Sequence, residues 1–89
     1  MRNLKTYENF NQSNWSEIDN KLQREFDFSD FKQALEFINK IAVICESENH
    51  HPEINWVYNK IILKLSTHDA GDIITQKDIK LAELIGEVA

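Results

Sequence analysis

Little in this chain can crosslink it, kink it or grip a phosphate. Its 89 residues include one cysteine, one proline and two glycines. A single cysteine closes no internal disulfide, and a cysteine-based zinc site needs more ligands than that. Two glycines cannot build a glycine-rich phosphate loop, and no nucleophile elbow is present. Cationic excess is missing as well. The 10 Lys+Arg stand against 15 Asp+Glu, a net charge of −5, which argues against the clustered positive charge on which non-specific nucleic-acid binding depends. No run approaches the ~20 apolar residues of a membrane span. The start, from Met1 to Lys5, leads into polar residues without the apolar stretch of a signal peptide. These absences predict a soluble, cytoplasmic, single-domain protein with neither nucleic acid nor membrane as a direct partner. With 42% hydrophobic residues the chain can fill a core, although a domain this small buries a modest share of its surface and commonly oligomerises.

There is no internal repeat. Residues 1–14 are polar with scattered apolar positions and read as a loosely ordered arm; the folded domain is expected over residues 15–89. Trp15 to Ile18 and Lys21 to Phe28 read as two strands around the turn dipeptide Asp19-Asn20. Leu22, Arg24, Phe26 and Phe28 share one face of the second strand, the alternation of a half-buried antiparallel strand. Ser29 is placed to cap a helix from about Asp30 to Ser47, which must end before Pro52. Two further alternating stretches lie between Glu53 and Ser66, either as two strands or as one long bent strand. A loop follows at Asp69 to Asp72, then a helix capped by Thr75, with Asp78 completing a variant capping box. The order strand-strand-helix-strand-strand-helix predicts an α+β, two-layer domain: a four-stranded antiparallel sheet with helices packed on one face.

All three histidines fall at element ends: His50 and His51 after the long helix, His68 after the last strand. Gathered at one end of the sheet they would offer proton transfer near neutral pH, since an unperturbed imidazole titrates at ~6.5; scattered, they are ordinary loop residues. Glu46 precedes His50 by four residues and would stack on it if the helix persisted, orienting the ring. Metal binding is the competing chemistry, with Asp69 or Glu46 supplementing the histidines. Adjacent His50 and His51 point apart on extended backbone, however, and no HExxH or CxxC accompanies them. Trp15, Trp56 and Tyr58 could stack on a flat ring, but aromatics in strands are more often core. Cys45 reads as a small buried hydrophobe.

Glu46, His50, His51, Pro52 and Glu53, then Val57 to Lys60, Ser66, Thr67 and His68, and finally Asp78 form an ordered set. That set resembles the signature of the pterin-4a-carbinolamine dehydratases, over roughly Trp15 to Ala89. The resemblance implies dehydration of 4a-hydroxytetrahydropterin to quinonoid dihydropterin in tetrahydropterin recycling, with no metal and no organic cofactor. It implies that His50, His51 and His68 line a pterin pocket, that Glu46 and Asp78 support it, that Trp15 stands at its edge and that Ser66 and Thr67 border it. An alternative of another class is a non-catalytic dimerisation or interaction module of the same fold.

The long helix is expected to cover the sheet with Phe31, Ala34, Leu35, Ile38, Ala42 and Cys45. Phe37, Ile41 and Ile44 would then lie beside that stripe, at roughly 100° per residue. If exposed, this second row would drive a homodimer or homotetramer, the assemblies that the resemblance also implies, and Ile41→Glu would dissociate it.

Overall fold

The computed structural model describes residues 14–89; the arm expected over residues 1–14 lies, apart from Asn14, outside them. Two hairpins, each followed by a helix, make up the described residues: β1 (Ser16–Ile18), β2 (Lys21–Asp27), α1 (Phe31–Glu48), β3 (Glu53–Val57), β4 (Lys60–Leu65) and α2 (Gln76–Val88). A single 3-10 turn, His68–Ala70, separates β4 from α2. The sheet is four-stranded and antiparallel in the order β1-β2-β4-β3. The α+β architecture is the one expected.

Local chemistry explains most boundaries. Asp19 and Asn20 both adopt positive φ (52° and 64°), the primed-turn geometry whose twist suits a two-residue hairpin. The second hairpin turns at Tyr58, with φ 52°, so Glu53 to Ser66 holds two strands and Tyr58 belongs to their turn rather than to β3. Phe28 leaves β2 but stays tied to this turn, its N–H donating to the Asn59 carbonyl at 2.9 Å. The cap of α1 is Asp30 and not Ser29: Asp30 has extended backbone and its Oδ1 accepts from the Gln33 N–H at 2.8 Å. Thr75 caps α2 and Asp78 completes the capping box, as expected.

Register decides which face of the sheet is dry. Leu22, Arg24 and Phe26 of β2 stand opposite Leu65, Leu63 and Ile61 of β4, and five of these six are buried apolar side chains. Arg24 is the exception; its guanidinium lies 4.4 Å from the Phe26 ring centroid and 5.8 Å from that of Trp15. Both helices contribute to the core on this face. The other face carries ion pairs, Lys21 bridging to Glu53 and Lys60 to Glu25, each at 3.3 Å, among which Ile18, Ile62 and Val57 are interspersed.

The orientation of α1 differs from expectation. Its buried residues are Ala34, Phe37, Ile41 and Cys45, while Phe31, Leu35 and Ala42 are exposed and Ile38 is half-buried. Phe37 sets this rotation by packing 4.7 Å from the Phe26 ring and 5.1 Å from that of Phe28. The supposed second row is therefore core, and the exposed row belongs to the stripe expected to cover the sheet.

Candidate functional site

Asn49 determines where the histidines go. It takes the left-handed conformation (φ 51°, ψ 43°) at the end of α1, which Asn tolerates better than most non-glycine residues. The Asn49 N–H donates to the Glu46 carbonyl at 3.3 Å and the His50 N–H to the Cys45 carbonyl at 3.1 Å, the paired bonds of a Schellman stop. The chain thus leaves helical geometry before His50, and the expected stacking of Glu46 on His50 does not form. Glu46 instead accepts from His51 Nε2 at 2.5 Å on the surface.

His50 turns inward and meets Asp78. Its Nε2–H donates to Asp78 Oδ1 at 2.6 Å, and the Asp78 side chain is wholly buried. Oδ2 of the same carboxylate accepts from the Thr67 hydroxyl at 2.7 Å and from the Thr75 N–H at 2.9 Å. Three donors on one buried carboxylate supply the compensation that burying its charge requires. Asp78 therefore joins the end of α1, the exit from β4 and the first turn of α2.

His68 stands on the 3-10 turn one residue beyond Thr67, almost fully exposed, with its Nδ1 3.0 Å from Asp72 Oδ1. Gly71 and Asp72 both take positive φ (91° and 58°), folding the loop back so that Asp72 reaches His68. The hydrogen bond with Asp72, then its charge, then that of Asp69, raise the imidazole above its ordinary 6.5. A raised value in the folded state means that the pairing favours folding below the ordinary imidazole range and that this contribution fades as pH rises through the folded value. An NMR titration should place the His68 midpoint above 6.5, and Asp72→Ala should bring it down. A His68 midpoint unmoved by that substitution would show that the pair does not persist in solution.

Of the remaining sequence-derived candidates, Ser66 is half-buried between β4 and Thr67. Trp15 is buried with its ring edge-on to Phe26 at 6.2 Å, a core position. Trp56 is stacked on Phe31 at 4.8 Å. Cys45 is buried, and burial pushes its thiol up, with the Glu46 charge adding to the shift. Each histidine thus has its own carboxylate: Asp78 for His50, Glu46 for His51 and Asp72 for His68. Among the described residues no group of three or more His, Cys, Asp or Glu side chains is arranged to hold a metal ion. No helix among them is long and apolar enough to cross a membrane. Two contributors escape sequence reasoning, Asp72 and the hydroxyl of Thr75. The only signal for Asp72 is its place four residues after His68.

An imidazole fixed by a buried carboxylate can exchange protons with a bound molecule; His50 lines one cleft with Asn49, Gln76 and Lys77, and His51 lines another with Glu46, Pro52 and Ile54. Comparison with known proteins gives this arrangement a setting. The family described as pterin 4 alpha carbinolamine dehydratase matches residues 2–88. A protein of Prochlorococcus marinus (strain MIT 9515), provisionally named pterin-4-alpha-carbinolamine dehydratase, is 54% identical over 74 residues, 83% of this chain and 76% of that protein. One from Sulfurisphaera tokodaii with the same provisional name is 47% identical over 74 residues, 83% of this chain and 78% of that one. Among solved structures, a transcriptional coactivator/pterin dehydratase from Brucella melitensis superposes with a TM-score of 0.81 at 33% identity, covering 86% of this chain and 83% of the other. A pterin dehydratase-like protein identified as a RuBisCO assembly factor in the alpha-carboxysome superposes at 0.68 with 21% identity, over 81% and 84% of the two chains. That last likeness is one of fold alone.

Proposed function

Because the chain belongs to the pterin-4a-carbinolamine dehydratase family, we propose that it removes water from 4a-hydroxytetrahydropterin, giving quinonoid dihydropterin in tetrahydropterin recycling. The carbon–oxygen bond at C4a breaks as an imidazolium protonates the departing hydroxyl. The proton of the neighbouring ring nitrogen passes to a neutral imidazole, and the electron pair it leaves forms the new C=N bond. Proton transfer of this kind contributes roughly 10²–10⁴-fold. His50 and His68 carry the two protons, and His51, held by Glu46 at the surface, serves chiefly in binding. Glu46 and Asp78 orient their histidines, while Ser66, Thr67 and Trp15 border or back the pocket. The observation that carries the reading is the 2.6 Å bond from His50 to the buried Asp78, which fixes one ring nitrogen and leaves the other for chemistry.

The test is turnover of chemically generated 4a-hydroxytetrahydropterin by the purified protein. Activity is expected to survive dialysis against a strong chelator, because the proton steps use imidazoles and no recognisable ligand pattern is present. Loss of activity on chelation, restored by adding metal, would overturn the metal-independent mechanism. A second reading, a non-catalytic interaction module, is favoured by the exposed apolar row on α1 and by the coactivator description of the Brucella protein. A correctly folded chain without turnover would select it.

A further inference from the structure

The hydrogen bonds around Asp78 run in one direction. A hydroxyl has a single proton to give. Thr67 gives its proton to Asp78 Oδ2 at 2.7 Å, so toward Thr75 its oxygen must accept, and the Thr75 hydroxyl, 2.6 Å away, donates to it. Thr75 Oγ1 accepts in turn from the Lys77 N–H at 3.3 Å. Two donors thus occupy Oδ2, the Thr67 hydroxyl and the Thr75 N–H. Oδ1 is turned to His50 Nε2. Only a ring protonated at Nε2 can fill that place. A ring protonated at Nδ1 would set two lone pairs against each other in a buried site, at the cost of an unsatisfied polar group.

We propose that Thr67 and Thr75 are positioning residues whose hydroxyl relay fixes the Asp78 carboxylate, so that His50 is held as the Nε2–H tautomer with Nδ1 as its proton-accepting atom. The relay is more than a helix cap. Capping accounts for the bonds made by the Thr75 and Lys77 N–H groups, but it does not call for the Thr67 hydroxyl, which lies outside α2. Thr67 is itself held at both backbone ends. Its N–H donates to the Ile73 carbonyl at 2.8 Å, and its carbonyl accepts from the N–H groups of Ala70 and Asp72 at 3.2 and 3.1 Å. One residue therefore sets both the carboxylate that orients His50 and the loop that presents His68. The kinetic consequence rests on the dehydratase reading; the tautomer does not.

Nitrogen-15 NMR of the histidine rings in the whole chain, at a pH above the imidazole titration, reads the tautomer without any turnover. The wild-type His50 ring is expected as a single Nε2–H species. Thr67→Val, close in shape but without a hydroxyl, should give a mixture of tautomers, and Thr67→Ser should restore the single species. With 4a-hydroxytetrahydropterin, Thr67→Val should lower kcat by about ten-fold, keep KM within about two-fold and be rescued by serine. If the valine variant does not fold, Thr67→Cys replaces it, a weak S–H donor expected to give a partial mixture. A wild-type His50 ring protonated at Nδ1 overturns the proposal. So does a folded Thr67→Val protein whose His50 stays wholly Nε2–H. A wild-type protein with the expected tautomer and no turnover would remove the dehydratase reading and leave the relay standing.

Discussion

Replacing His50 or His68 with alanine is expected to lower turnover of 4a-hydroxytetrahydropterin by at least about ten-fold, the lower edge of what a lost proton-transfer group costs. The two variants should differ in stability, because their settings differ. His68 lies on the surface, 89% exposed, and its removal leaves no buried group unpaired. His50 is 12% exposed and its partner Asp78 is not exposed at all. His50→Ala therefore strips one donor from a buried carboxylate, at a cost of about 1–3 kcal/mol unless water enters. The His50→Ala protein should melt earlier than His68→Ala while keeping its circular dichroism spectrum. His51→Ala should raise KM more than it lowers kcat, the mark of lost binding. Wild-type rates in both His50→Ala and His68→Ala would end the proton-transfer assignment.

What was legible in the sequence was the chemistry of neighbours along the chain. Asp19-Asn20 marks a hairpin because these residue types tolerate positive φ, and Thr75 with Asp78 marks a helix start because their side chains reach the free N–H groups of the first turn. Alternation along β2 and β4 exposed the dry face directly. The rotation of α1 was not legible. Its two apolar rows satisfy helical periodicity equally, and the choice falls to Phe26 and Phe28, residues on and just beyond β2 that meet Phe37 only in the folded protein. The site divides in the same way. Family resemblance gathers the histidines, Glu46 and Asp78 as a set, but it does not pair them. The bond between His50 and Asp78 spans 28 residues of chain, and no spacing rule reaches that far. Glu46 fails to meet His50 because one residue, Asn49, turns left-handed between them.

The corrected orientation of α1 moves the expected assembly surface, and with it the test. Ile41 is 1% exposed, so Ile41→Glu would bury an unpaired carboxylate and break the fold rather than an interface. Among the large apolar side chains left exposed, Phe31 and Leu35 lie on α1 and Ile54 on β3, between 40% and 48% exposed, with Val43 of α1 and Val57 of β3 exposed further still. Fully covering side chains that are already half-buried contributes roughly 1 kcal/mol each, too little alone against an association cost of about 4–15 kcal/mol. The outer edge of β3 supplies what is missing, because β3 ends the sheet and its outward backbone groups can pair with another strand. We propose that a second copy of the chain covers this surface, giving the homodimer or homotetramer implied by family resemblance, with β3 edges and α1 rows meeting about a two-fold axis. Leu35→Glu should then convert the assembly to smaller species while leaving the core intact, since Leu35 points away from it. Light scattering at micromolar concentration reads the outcome, and a wild-type protein with the mass of a single chain would sink the proposal.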